Sequence, residues 1–135
     1  VSLKSSLSRL RSVTGNRRVK PRFKPRPGPP LVTSIALLGA DAGTITGHVR
    51  DLSESGLSFF ILDSLAAQRG LLIKGAKCRV VLALPAGVIY LFGELAWCQF
   101  SDAHQPARGG VLAIQITEIK QDAKEQYLAY LGSLR

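Results

Sequence analysis

The stretch KCRVVLALPAGVIYLFGELAWC, residues 77–98, decides the fold. Cys78, Val80, Leu82 and Leu84 alternate with Lys77, Arg79, Val81 and Ala83, and a period of two places one set in a core and the other outside it. Pro85-Ala86-Gly87 then reverses the chain, and Val88–Cys98 supplies a long partner strand. The same texture extends in both directions. Leu31–Leu38 is an apolar run, and Thr44–Leu52 places Ile45, Gly47 and Val49 on one face. Ser53–Gly56 reads as a turn, Leu57–Ile61 as a strand, and Val111–Ile116 as a final strand after the polar loop Ser101–Gly110. Six short strands at this spacing predict a mainly β fold, a small antiparallel barrel or sandwich.

Both flanks differ from this core. In Lys120–Leu134, the residues Ala123, Tyr127, Tyr130, Leu131 and Leu134 recur at the helical period, so a C-terminal helix is expected to cover one open side or end. Asp122 and Glu125 near its start suit the positive end of the helix dipole. Residues 13–30 hold five of the seven prolines, which excludes a helix and a well-paired central strand. They read as an extended basic arm with Val19 and Phe23 as its apolar anchors. Ahead of it, Val1, Leu3, Leu7 and Leu10 fit a short amphipathic helix or linker. The expected organisation is therefore 1–16 helix or linker, 17–30 arm, 31–118 barrel and 119–135 helix.

Charge and composition limit the function. The chain has 135 residues, 18 basic and 9 acidic, for a net charge of +9. Nine of the basic residues and none of the acidic ones lie in residues 1–30, so residues 31–135 are neutral as a unit. An anionic partner should meet the arm. The 14-residue uncharged run Val80–Gly93 is too short and too broken to span a membrane, and no export signal opens the sequence. A start at Val1 and the lack of any Met suggest processing or a piece of a longer chain. Cys78 and Cys98 have no metal-binding spacing and sit in apolar stretches, as reduced core thiols do. His48 reads as a surface or edge-strand residue, and Trp97 and Phe100 read as core. No nucleophile–base pair, paired carboxylates or P-loop occurs, so neither enzymatic activity, a metal nor a cofactor is expected.

Two elements complement one another. Arg18-Val-Lys-Pro-Arg22 is an RxxxR element preceded by Arg17, and Asp51-Leu-Ser-Glu-Ser-Gly56 is a DxSxxG element in a turn between two strands. Arginine offers a planar fork that bonds phosphate oxygens or guanine O6 and N7, and a flat face that stacks on purines. Asp51 offers a carboxylate that can accept from an N–H donor edge. Ser53 can bond to a base or to the turn backbone, and Gly56 permits a positive φ or a close backbone approach. Read singly, each element could be a solvated arm charge or an Asx-type turn.

In their order and setting the two elements resemble the PilZ domain family, whose members bind cyclic di-GMP. Gly93-Glu-Leu-Ala-Trp97 is similar to the family's G-x-V-x-W strand, while Ala113 and Ile116 replace the Gly and Phe of its G-V-x-F strand. The proline cluster Pro25–Pro30 spaces the arm from the first strand more than is usual. The resemblance implies a six-stranded PilZ-like barrel that senses cyclic di-GMP through Arg17, Arg18, Arg22, Asp51, Ser53 and Gly56. It also implies that Arg17 influences whether one ligand or a stacked pair binds. A self-repelling arm would be mobile and would clamp onto the ligand, moving residues 1–16 and an attached domain or protein partner. A cytoplasmic location follows, or the cytoplasmic face of the membrane in a longer chain. Two alternatives stay open: an adaptor whose PilZ-like barrel binds a protein or an anionic membrane surface, and a non-specific nucleic-acid-binding protein.

Overall fold

The computed structural model describes residues 21–39, 44–61, 70–100 and 109–135. Six strands appear in these residues: β1 (Val32–Leu37), β2 (Thr44–Leu52), β3 (Gly56–Ile61), β4 (Lys77–Leu84), β5 (Gly87–Phe100) and β6 (Gly110–Ile119). They are followed by helix α1 (Gln121–Ser133). All neighbouring strands are antiparallel, and the order β1-β2-β3-β6-β5-β4 closes on itself as a barrel. Closure removes the free sheet edge that a sandwich would keep.

The central hairpin forms as its alternation predicts. Leu82 lies opposite Ile89, Val80 opposite Leu91 and Cys78 opposite Gly93, and these side chains point inward. Across the barrel they meet Ile35, Leu52, Leu57, Phe59 and Leu112, all fully buried. β1 pairs with both β2 and β4 and so completes the ring. Thr33 is buried on this strand, and its hydroxyl donates to the Val81 carbonyl at 3.0 Å, which satisfies the one polar group it carries inward.

Helix α1 crosses the end of the barrel that carries the β2–β3 and β4–β5 turns. Ala123, Tyr127, Tyr130 and Leu131 are its buried residues and join the barrel core. Gln126, Ala129 and Tyr130 line a cavity of about 290 Å³ together with Leu84, Pro85 and Ala86 at the β4–β5 turn. Asp122 occupies the first turn and accepts from the Ala123 N–H at 2.9 Å. The last turn contains no basic residue of its own. Arg26 of the arm fills that role, donating to the Ser133 carbonyl at 2.7 Å, where the helix dipole is negative.

The described part of the arm is fastened to the barrel at several points. Phe23 and Leu52 exchange both backbone hydrogen bonds, at 2.8 and 2.9 Å, and the Arg135 guanidinium lies 5.6 Å from the centre of the Phe23 ring. Farther along, the Val49 N–H donates to the Leu31 carbonyl. Residues 21–31 thus run beside β2, with prolines limiting the pairing to an isolated bridge. The amphipathic reading of 1–12, Val19, and the site residues Arg17 and Arg18 lie outside the described residues.

Among the described residues no helix is long and apolar enough to cross a membrane, and no group of three or more His, Cys, Asp or Glu side chains is placed to hold a metal ion. Both cysteines are free thiols, Cys78 buried and Cys98 half-buried. His48 is exposed on β2, as its position suggested.

Candidate functional site

Strict alternation along β2 would aim Asp51 into the core. Ile45, Gly47 and Val49 face inward, so the next inward position by parity is 51. The register shifts between Val49 and Asp51, however, and this bulge inserts Arg50. Arg50 and Asp51 are both half-buried, and Leu52 returns to the core in full. A bulge of this kind re-aims side chains. Here it turns a carboxylate outward and keeps a leucine inside.

The carboxylate is held firmly once outside. Asp51 Oδ1 accepts from Arg22 Nη1 at 2.7 Å and from the Ser58 hydroxyl at 2.7 Å, while Asp51 Oδ2 lies 3.9 Å from Arg50 Nη2. Ser58 sits directly opposite Asp51 on β3 and is 1% exposed. The structure thus joins Arg22 of the arm to Asp51 of the turn, 29 positions later in the chain. Sequence reading missed Ser58. Its signal was available, since a residue paired across a hairpin from a functional carboxylate shares its face.

The turn itself is closed by its own backbone. The Ser53 N–H donates to the Gly56 carbonyl at 2.8 Å, and the Ile116 N–H donates to Ser55. The Ser53 hydroxyl donates to the Gly56 carbonyl at 3.3 Å and accepts from the Ser55 N–H at 3.3 Å. Of the two partners left open for Ser53, the structure shows the turn backbone, and the side chain is buried. Gly56 is likewise resolved. A Cβ there would stand 2.5 Å from the Ile114 carbonyl oxygen, so close approach to β6 is what requires glycine. Positive φ is not what is needed, because Gly56 is absent from the positive-φ glycines.

A second bulge shapes the opposite wall. The β5–β6 register shifts between Leu95 and Trp97, which places Trp97 across from Ala113 and turns its indole outward at 43% exposure. The reading of Trp97 as core is corrected: the inserted Ala96 reverses its parity. Phe100, beyond the same bulge, packs against the core as expected. Arg22, Ser55, Gly56, Ala96, Trp97, Ala113 and Gln115 line a shallow concavity of about 180 Å³. That is below the roughly 300 Å³ at which enclosed small-molecule pockets begin, and it suits one flat group lying in an open groove. A larger cavity of about 470 Å³ lies elsewhere, against Val88, Tyr90, Phe92 and the start of α1, and includes none of the sequence-predicted residues.

The site also reaches into the helix. The Tyr127 hydroxyl donates to the Ser53 carbonyl at 2.6 Å and lies 3.4 Å from the Gly56 carbonyl. Burial pushes the Tyr127 phenol well above its ordinary range; the Arg22 charge opposes this, and the Asp51 charge adds to it. Tyr127 therefore keeps its proton and acts as a donor.

The arrangement offers a guanidinium and an exposed aromatic face within one outward groove, with the guanidinium paired to the Asp51 carboxylate. That set can grip, pair with and stack on a purine nucleotide. The family model for the PilZ domain matches residues 16–133. Among solved structures, the chain is similar to the PilZ domain with c-di-GMP of YcgR from Escherichia coli, at 19% identity and a TM-score of 0.67, covering 88% of this chain and 92% of that one. It is also similar to the K. pneumonia MrkH–c-di-GMP complex, at 16% identity and a TM-score of 0.68, covering 89% of this chain and 52% of that one. A third likeness is to the Bacillus subtilis inhibitor of motility (MotI/DgrA), at 16% identity and a TM-score of 0.62, covering 87% and 51%. At such identities these likenesses show a shared fold. No curated protein matches the chain.

Proposed function

The chain belongs to the PilZ domain family, and from that premise we propose that it is a cyclic di-GMP receptor module whose basic arm and β2–β3 turn clasp the dinucleotide. One observation supports this reading above the others: the 2.7 Å pair between Arg22 and Asp51, which lays the arm across an outward groove beside an exposed indole. Arg22 keeps guanidinium N–H groups beyond the one given to Asp51, and these suit a phosphate or the O6/N7 edge of guanine. Asp51 Oδ2 suits the donor edge of the base. Trp97 offers a face for stacking.

Arg18 and Arg17 precede this clasp and supply the remaining charge for two phosphates and a second base. Their neutralisation by ligand draws the stretch ahead of residue 21 onto the barrel. Residues 1–16, or an upstream domain or partner, are reoriented as a result. Arg17 is the residue that reaches a second, stacked ligand. The module is a receptor and not a catalyst.

The excess of nine basic residues in the first 30 favours a second reading, non-specific binding of polyanions. Calorimetric titration separates the two. The chain should bind cyclic di-GMP saturably and GTP weakly, and Arg22→Ala should lose cyclic di-GMP while keeping its salt-dependent affinity for single-stranded DNA. Equal heats for cyclic di-GMP and GTP would exclude the receptor reading. Loss of DNA and cyclic di-GMP together in Arg22→Ala would favour the polyanion reading.

A further inference from the structure

The C-terminal helix is tied to the nucleotide turn by one buried hydroxyl, that of Tyr127. Tyr127 is 1% exposed and central in α1, and its hydroxyl reaches the Ser53 carbonyl at 2.6 Å, between Asp51 and Gly56. Gly56 O is already served by the Ser53 N–H and hydroxyl. Ser53 O has no donor other than Tyr127 among the described residues, so the carbonyl's orientation depends on the helix. A buried carbonyl without a donor is costly, and a short turn relieves that cost by rotating peptide planes. Rotation at Ser53 would carry Asp51, two residues earlier, away from Arg22 and Ser58. At the far end of α1 the connection is repeated, since Arg26 holds the Ser133 carbonyl and Arg135 covers Phe23.

We propose that Tyr127 is a positioning residue for the cyclic di-GMP site: its hydroxyl fixes the Ser53 peptide plane, so that nucleotide affinity and the docking of helix α1 are coupled. This inference rests on the receptor reading above. It extends that reading by giving the site a second output, at the C-terminal end of the domain, in addition to the N-terminal segment. Coupling of this kind is reciprocal, so bound nucleotide must tighten the helix as much as the helix tightens the nucleotide.

The test compares three full-length variants with the parent chain. Tyr127→Phe keeps the ring and removes the hydroxyl. Tyr130→Phe removes a hydroxyl one turn later that has no bond to the turn, and Leu131→Val loosens the buried face of the same helix. With each protein shown to be folded at the assay temperature, the dissociation constant for cyclic di-GMP should rise about tenfold in Tyr127→Phe and stay unchanged in the other two. Amide exchange in α1 should slow on adding cyclic di-GMP to the parent chain and not to Tyr127→Phe. Equal affinity in the parent and Tyr127→Phe, or a loss in Leu131→Val matching its lower stability, would overturn the coupling and leave the receptor reading intact. A parent chain that gives no saturable binding would overturn both.

Discussion

Replacement of Trp97 by alanine isolates the stacking face of the groove. The indole stands 43% exposed beside Arg22, with Ala113 directly across the strand pair and buried at 2%. Stacking of a base on an aromatic side chain contributes about 1–3 kcal/mol by alanine substitution. More than half of the indole surface is already covered by the barrel, so ligand can cover only the remainder, and about 1–2 kcal/mol is expected. At about 1.4 kcal/mol per tenfold, Trp97→Ala should weaken cyclic di-GMP binding about 5- to 30-fold, and Trp97→Phe by less. Trp97 is the single tryptophan of the sequence, so the parent chain carries its own reporter. Titration with cyclic di-GMP should quench its fluorescence along the same curve that calorimetry gives. Phe92→Ala, an exposed aromatic on the same strand and outside the groove, serves as the control. An unquenched indole, together with an affinity within about twofold of the parent in Trp97→Ala, would refute the stacking argument.

Three further outcomes follow from the same geometry. Gly56→Ala should lower both stability and cyclic di-GMP affinity, because its methyl would meet the Ile114 carbonyl at 2.5 Å; a thermal midpoint equal to the parent's would contradict the close approach. Ser58→Ala leaves Asp51 Oδ1 with Arg22 alone, and should weaken binding about 3- to 10-fold while Arg22→Ala weakens it more; the reverse order in calorimetry would show that Ser58 does not hold the carboxylate. Burial pushes the Cys78 thiol from 9.0 up to about 11, with the Glu94 charge adding to the rise. The unfolded chain therefore loses this proton first, and stability should fall as pH climbs from about 9 toward 11. Denaturation midpoints across that window should fall less in Cys78→Val, and parallel curves would exclude the thiol as a cause.

The barrel was legible because burial has a simple period. Cys78, Val80, Leu82 and Leu84 had only one face to hide, and the strand boundaries followed from Pro85–Gly87 and the Ser53–Gly56 turn. The helix was legible from Tyr127, Tyr130 and Leu131 for the same reason. The facing of the site was not. Asp51 and Trp97 both point outward because one extra residue, Arg50 or Ala96, breaks the period just before them. A bulge leaves no mark in the pattern of hydrophobic residues, since the sequence shows the parity but not the slip. The motif located Asp51 through its chemistry, whereas Trp97, read by parity and size, was misplaced in the core. The bonds of Ser58 to Asp51 and of Tyr127 to Ser53 were not legible, because they depend on pairing across the barrel, which no local window contains.

The contacts of Phe23 with Arg135 and of Arg26 with Ser133 bring the beginning and the end of the described fold to the same place. The chain thus enters this described fold at residue 21 and leaves it at Arg135 from neighbouring points, as the two handles of a pair of tongs share one pivot. Reporters attached at residue 21 and after Arg135 would start close together, so a small turn of either departing segment would be magnified into a large change in the distance between them.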